Sequence, residues 1–345
     1  MTRRPRWLTP ALALFFLSPM VGELLSGSAP PAEFFNPFGL LVLCALYGSG
    51  AILARELVVR WNKGWLSLIA LGAAYGIVEE GLMVKSFFDP NWMDLGPLGV
   101  YGRFAGVNWV WSVDLTIYHA VFSITIPVLL TERLFPGQRG RSWLSTRGLR
   151  SLSLLLAADV AFGFFALTPY RPPAIPYLLA AALAVALVWC AKRLPSDQST
   201  QAVASRTASR PLAFLVLGFA GTIGFFILTW AAPNTATPPL ALIALTLVFC
   251  ILAWRLGRWM AGRRSLPPMQ QLAAASGALG FFILLAPLQE LDPTRPDNAA
   301  GMALVGLGAA ILLVALSRKT RAESRSDPIE RGIPGAGGAL PQDLV

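Results

Sequence analysis

Ten apolar blocks, separated by short polar connections, run through this chain at 8–24, 37–55, 65–86, 108–131, 150–168, 175–191, 211–231, 239–256, 270–288 and 299–317. A helix needs roughly 20 apolar residues to cross the hydrocarbon core. Lipid offers the backbone no hydrogen-bond partners, so such segments are helices. The expected fold class is all-α, a polytopic membrane protein of about ten transmembrane helices. Only 13% of the 345 residues are charged, about half the roughly 25% share of a soluble domain. The net charge of +10 lies between the apolar blocks. It therefore reads as membrane topology rather than as a nucleic-acid surface, and the expected partner is membrane lipid.

Orientation follows from the basic residues. With Arg3, Arg4 and Arg6 inside, the inner connections hold Arg55, Arg60 and Lys63, then Arg133 to Arg150, Lys192 to Arg210, Arg255 to Arg264 and the segment from Arg318. The outer connections hold only Lys85, Arg103, Arg171 and Arg295, leaving 24 of 28 basic residues inside. The bias predicts a prokaryotic inner-membrane protein with both termini cytoplasmic. A competing expectation makes the first block a cleaved signal peptide ending near Ser26-Gly27-Ser28-Ala29.

Residues 1–135 form the expected polar-site region, 136–149 a cytoplasmic loop, 150–318 a scaffold and 319–345 a disordered cytoplasmic tail. The scaffold looks repetitive: Gly163-Phe164-Phe165 recurs as Gly224-Phe225-Phe226 and Gly280-Phe281-Phe282. Three parallel helical hairpins are expected from it. Cys44, Cys190 and Cys250 sit inside apolar runs without metal spacing. No nucleotide motif is present, and no cofactor or metal is expected.

Chemistry concentrates between Tyr75 and His119. Glu79 and Glu80 lie in the third block, and Asp114 and the single histidine, His119, in the fourth. Ionisable groups at such depth are costly and mark candidate sites. At 1.5 Å per residue, both glutamates lie roughly 10 Å below the outer surface, Asp114 roughly 9 Å and His119 roughly 16 Å. Glu23 closes the first block near the same surface. Asn108, Ser112, Leu115 or Thr116, His119 and Ser123 form one stripe, and Gly72, Gly76 and Glu80 another. The small residues let the two helices approach. Successive residues point about 100° apart, so at most one glutamate leads the site, with Glu80 preferred and Glu79 either its hydrogen-bond partner or paired with a neighbouring helix. The bland alternative is a polar network that only locks helices together.

Adjacent glutamates in one membrane helix, followed by a histidine 39 residues beyond Glu80, resemble the glutamic intramembrane proteases of the CAAX-processing and bacteriocin-immunity group. That resemblance implies that Glu80 and His119 activate a water for hydrolysis. The pattern differs at Lys85, one position later than the family's arginine, at Leu115 in place of an aromatic, and in lacking a second histidine.

The expectation is a membrane-embedded hydrolase with Glu80 as general base, His119 sharing the water or stabilising the oxyanion, and Asp114 orienting His119. Two alternatives stand beside it: a proton-coupled transporter using the same carboxylates, and a non-enzymatic assembly protein. The connection from Phe87 to Trp109 is long and aromatic. Trp92, Arg103, Asn108 and Trp109, with Ser112, Lys85 and Glu23, are candidate contacts for a peptide, lipid headgroup or sugar-like ligand. The plainer reading is an interfacial aromatic belt.

Overall fold

The computed structural model describes residues 9–93, 95–196, 209–262 and 266–326. Arg3, Arg4, Arg6, most of the 192–210 connection and residues 327–345 of the expected tail lie outside them. Every apolar block is one helix: α1 Pro10–Leu24, α2 Pro37–Arg60, α3 Trp65–Met83, α4 Trp109–Leu134, α5 Thr146–Leu167, α6 Ala174–Arg193, α7 Pro211–Asn234, α8 Pro239–Ala261, α9 Pro268–Leu291 and α10 Met302–Ser326. Among the described residues, nine helices are long and apolar enough to span a membrane, and α1 is shorter. The protein is a polytopic all-α membrane protein. The end carrying residues 87–109 is called here the loop end, and the opposite one the basic end.

The last helix runs eight residues past Arg318, so 319–326 is helix rather than disordered tail. Lys319 accounts for the extension. Its ammonium lies 3.4 Å from Glu323 one turn on and donates to the Arg133 and Leu134 carbonyls at the end of α4. Those carbonyls have no partner within their own helix.

Glycines set the closest crossings. A Cβ on Gly277 of α9 would overlap the Leu215 carbonyl of α7, and one on Gly218 would overlap that of Ala274. This backbone contact supports a core of Tyr118, Phe122, Phe226 and Phe282 between α4, α7 and α9. The first expected hairpin is arranged differently. Its arm α6 lies along α3, while α5 leans on α2. Gly163, first residue of the GFF copy in α5, makes room for Met83 at the end of α3. The repeat's first copy thus packs around the glutamate-bearing helix.

Candidate functional site

The Gly72 and Gly76 stripe of α3 faces α4 as its spacing requires. Cβ atoms added there would lie 2.8 Å from the Ala120 backbone and 3.0 Å from the His119 Cβ. Glu80, four residues past Gly76, then meets the imidazole: Nε2 of His119 is 3.1 Å from Oε1 of Glu80. Nδ1 is 2.9 Å from the Ser123 hydroxyl and 3.2 Å from Oε2 of Glu79. Both glutamates therefore straddle one histidine, and Glu79 meets the imidazole itself rather than serving as a partner of Glu80 behind it. The reason is local. Ile77–Met83 and His119–Thr125 are π-helical turns, which alter the angular step between neighbours. Such turns are rare and concentrate at functional sites.

Two further π-helical turns lie opposite. Met20–Leu24 carries Glu23 and Cys44–Gly48 carries Tyr47, whose hydroxyl donates to Glu23. Gly22 opens the space, since a Cβ there would press on both Ser123 and the Tyr47 ring. Tyr47, Tyr75 and Tyr118 surround the imidazole with centroid distances of 6.0, 6.1 and 5.2 Å. The Ser86 hydroxyl donates to Glu80 and accepts from Trp111 Nε1 at 3.0 Å. Glu79, Glu80 and His119 are buried, while Glu23 is half-buried and marks the wetter edge. Donor atoms of Glu79, Glu80 and His119 lie within 4.8 Å of one another, a spacing that can hold a divalent cation.

Asp114 does not orient His119. It precedes it by five residues, which turns it roughly 140° away on a helix. It is buried where α4 meets α8, within electrostatic reach of Tyr101 and Cys250, and its Oδ2 has no hydrogen-bond partner. Ser123 and Glu79 occupy the orienting positions beside Nδ1 instead.

The remaining candidates hold the loop-end cap. Lys85, at φ +67, turns into the end of α5 and donates to the Phe164 and Thr168 carbonyls at 2.7 and 3.1 Å. Burial, with Arg171 nearby, keeps its ammonium below the usual lysine value. Arg103 donates to the Gly99, Phe88 and Asp89 carbonyls. Asn108 donates to Leu98 and caps α4, and Ser112 donates back to the Asn108 carbonyl. Trp92 packs with Leu95 and Leu98, whereas Trp109 is exposed and donates to Phe104. These side chains fold the 87–109 segment, whose tip is the hairpin Arg103–Phe104 with Val107–Asn108. These six build the cap, whereas Glu23 joins the glutamate–histidine cluster through Tyr47, whose ring faces the imidazole.

Sequence reasoning missed Tyr47, Tyr75, Ser86 and Trp111, which are ordinary in apolar helices and unmarked by spacing. It also missed a charged cluster at the basic end. Arg55 pairs with Glu56 at 3.0 Å and Glu132 at 3.6 Å, donates to the Arg141 carbonyl and stacks on Trp143.

A family model described as an uncharacterized membrane protein family matches residues 12–319. The chain belongs to that family. It is also similar to a protein from Archaeoglobus fulgidus named only as an uncharacterized protein, with 29% identity over 125 residues. The aligned part is 36% of this chain and 38% of that relative's length. No solved structure matches the chain. Membership establishes the membrane nature of this family member, and nothing in these matches links it to the glutamic intramembrane proteases.

Proposed function

We propose that this protein is a membrane-embedded hydrolase whose reacting groups are Glu80, Glu79 and His119. The observation that carries this reading is one buried imidazole held between two buried carboxylates, at 3.1 and 3.2 Å. In the proposed reaction Glu80 takes a proton from a water entering beside Nε2, and the oxygen attacks the substrate's acyl carbon. His119, held by Ser123 and Glu79, gives its Nε2 proton to the leaving group as the acyl–leaving group bond breaks, and is reprotonated by Glu80 across their 3.1 Å contact. The preponderance of basic residues at the opposite end supports a site facing outward in a prokaryotic cell membrane, with both termini inside.

A conduit is favoured less. Leu14, Leu68, Leu71, Ile124 and Val128, all buried, fill the level between His119 and Arg55 with hydrocarbon. A divalent-cation site is the second reading, favoured by the 4.8 Å donor spacing. Metal analysis of the purified wild type and of Glu80→Gln decides it, since stoichiometric metal lost in the variant supports a cation site.

The hydrolase reading is tested by comparing membrane lipids and peptides in cells expressing wild type, Glu80→Gln or His119→Ala. It predicts one class of molecule that accumulates with both variants and is consumed by wild type. Identical profiles at equal protein levels would overturn it.

A further inference from the structure

A cavity of about 450 Å³ lies between α1 and α10, lined almost wholly by hydrocarbon. Met20, Val21 and Leu24 form one wall, and Gly308, Ala309 and Leu312 the other. Small residues of α10 create it. Gly308 and Ala309 line it from within the helix, while Gly301, at φ +91, lines it from the turn before the helix. A Cβ added at Gly308 meets nothing within 4 Å. Within α10 the lining runs from Leu304 to Leu313, about 14 Å along the helix. That is close to half of the roughly 30 Å hydrocarbon core, the depth of one leaflet.

The loop-end connections near it are polar. Arg295 donates to the Gly27 carbonyl at 2.8 Å and pairs with Asp297, and Gln289 donates to the Ser26 carbonyl at 2.7 Å. One layer of side chains separates the cavity from the site. Glu23 shares the π-helical turn of Met20 and Leu24. Tyr118 packs with Val21 and Leu25, donates to the Gly22 carbonyl at 2.6 Å and lies edge-on to His119.

We propose that this cavity seats one hydrocarbon chain of an amphiphile drawn from the loop-end leaflet, placing its polar head beside Glu23 and the His119 cluster. The occupant is a lipid chain because the lining is apolar at hydrocarbon depth, is about one leaflet long, and ends near the polar loop-end connections. Its role as the substrate's chain rests on the hydrolase reading, whereas chain binding stands without it.

The test is photocrosslinking of the full-length protein in nanodiscs of phosphatidylethanolamine and phosphatidylglycerol. The probe is phosphatidylethanolamine bearing one diazirine-labelled acyl chain. Adducts are expected on peptides containing Met20–Leu25 and Gly301–Leu313. Gly308→Phe should lower them about tenfold, equivalent to ~1.4 kcal/mol. Gly221→Phe, another glycine whose Cβ meets nothing within 4 Å, should leave them unchanged. Ala309→Leu provides a smaller plug should Gly308→Phe fail to fold. Glu80→Gln should keep the adducts, which separates loss of binding from loss of chemistry. Adducts spread evenly over the lipid-facing helices and indifferent to Gly308→Phe and Ala309→Leu would overturn the proposal. So would cross-links showing a second copy of the chain in the cavity.

Discussion

Nε2 of His119 stands 3.1 Å from Oε1 of Glu80, across 39 residues and the whole loop-end cap. That pair needs the approach of α3 to α4, which Gly76 allows by placing no side chain against the His119 Cβ. Gly76→Leu should therefore separate the pair. Overpacking of this kind costs ~1–3 kcal/mol. The expected outcome is a lowered melting temperature in detergent together with lost turnover, whereas Gly221→Leu should change neither.

Ser123 holds Nδ1 at 2.9 Å and is itself fixed, its carbonyl accepting from Ser18 at 2.6 Å. On the proposed hydrolase reading, Ser123→Ala should leave the fold intact and lower kcat roughly 10-fold to 100-fold, less than the roughly 10²–10⁴-fold that an acid–base group itself contributes. Substrate KM should change little. A large rise in KM with unchanged kcat would place Ser123 in binding instead.

The crossing of α7 and α9 supports a different prediction. A Cβ at Gly277 meets the Leu215 carbonyl, a backbone atom that cannot rotate away. Gly277→Ala should destabilise the protein by about 2 kcal/mol, read by chemical denaturation in mixed micelles. Gly280→Ala, whose Cβ would sit 3.5 Å from the Phe219 ring, should be near neutral.

The sequence made some of this legible, and the reasons are specific. Helix positions follow from apolar block length, and the Glu80–His119 pairing follows from two stripes at helical spacing. Glu79 took second place to Glu80 because a regular helix turns it away, and π-helical turns are not visible in residue spacing. Asp114 illustrates the opposite case. Its offset of five residues from His119 already placed it on another face. Arg55 was read as a topology signal because a charge near a span's end usually is one, yet it is buried among Glu56, Glu132 and Trp143. Tyr47 and Glu23 are 24 residues apart and meet only through packing.

That buried cluster is testable. Arg55→Met removes the cation between Glu56 and Glu132 and should cost about 3 kcal/mol, as breaking a buried pair from one side does. Arg55→Met with Glu56→Gln should recover part of that loss. Equal melting temperatures for wild type and Arg55→Met would contradict the assignment.

The α9–α10 connection should respond to acid. The Arg295 guanidinium holds the Asp297 carboxyl below the usual carboxylate range. A depressed folded value gives stability that is present above the unfolded carboxylate value and lost as pH falls through the folded one. Melting temperature should thus drop on acidification below the ordinary carboxylate range, and Asp297→Asn should flatten that part of the profile.

The most direct measurement is oxygen-18 incorporation. Membranes holding wild type, Glu80→Gln, His119→Ala or Asp114→Asn are incubated in labelled water, and released products are weighed by mass spectrometry. The account predicts label in products from wild type and Asp114→Asn, and none above background from Glu80→Gln and His119→Ala. Equal labelling with Glu80→Gln, or labelling that depends on Asp114 but not on His119, would contradict it.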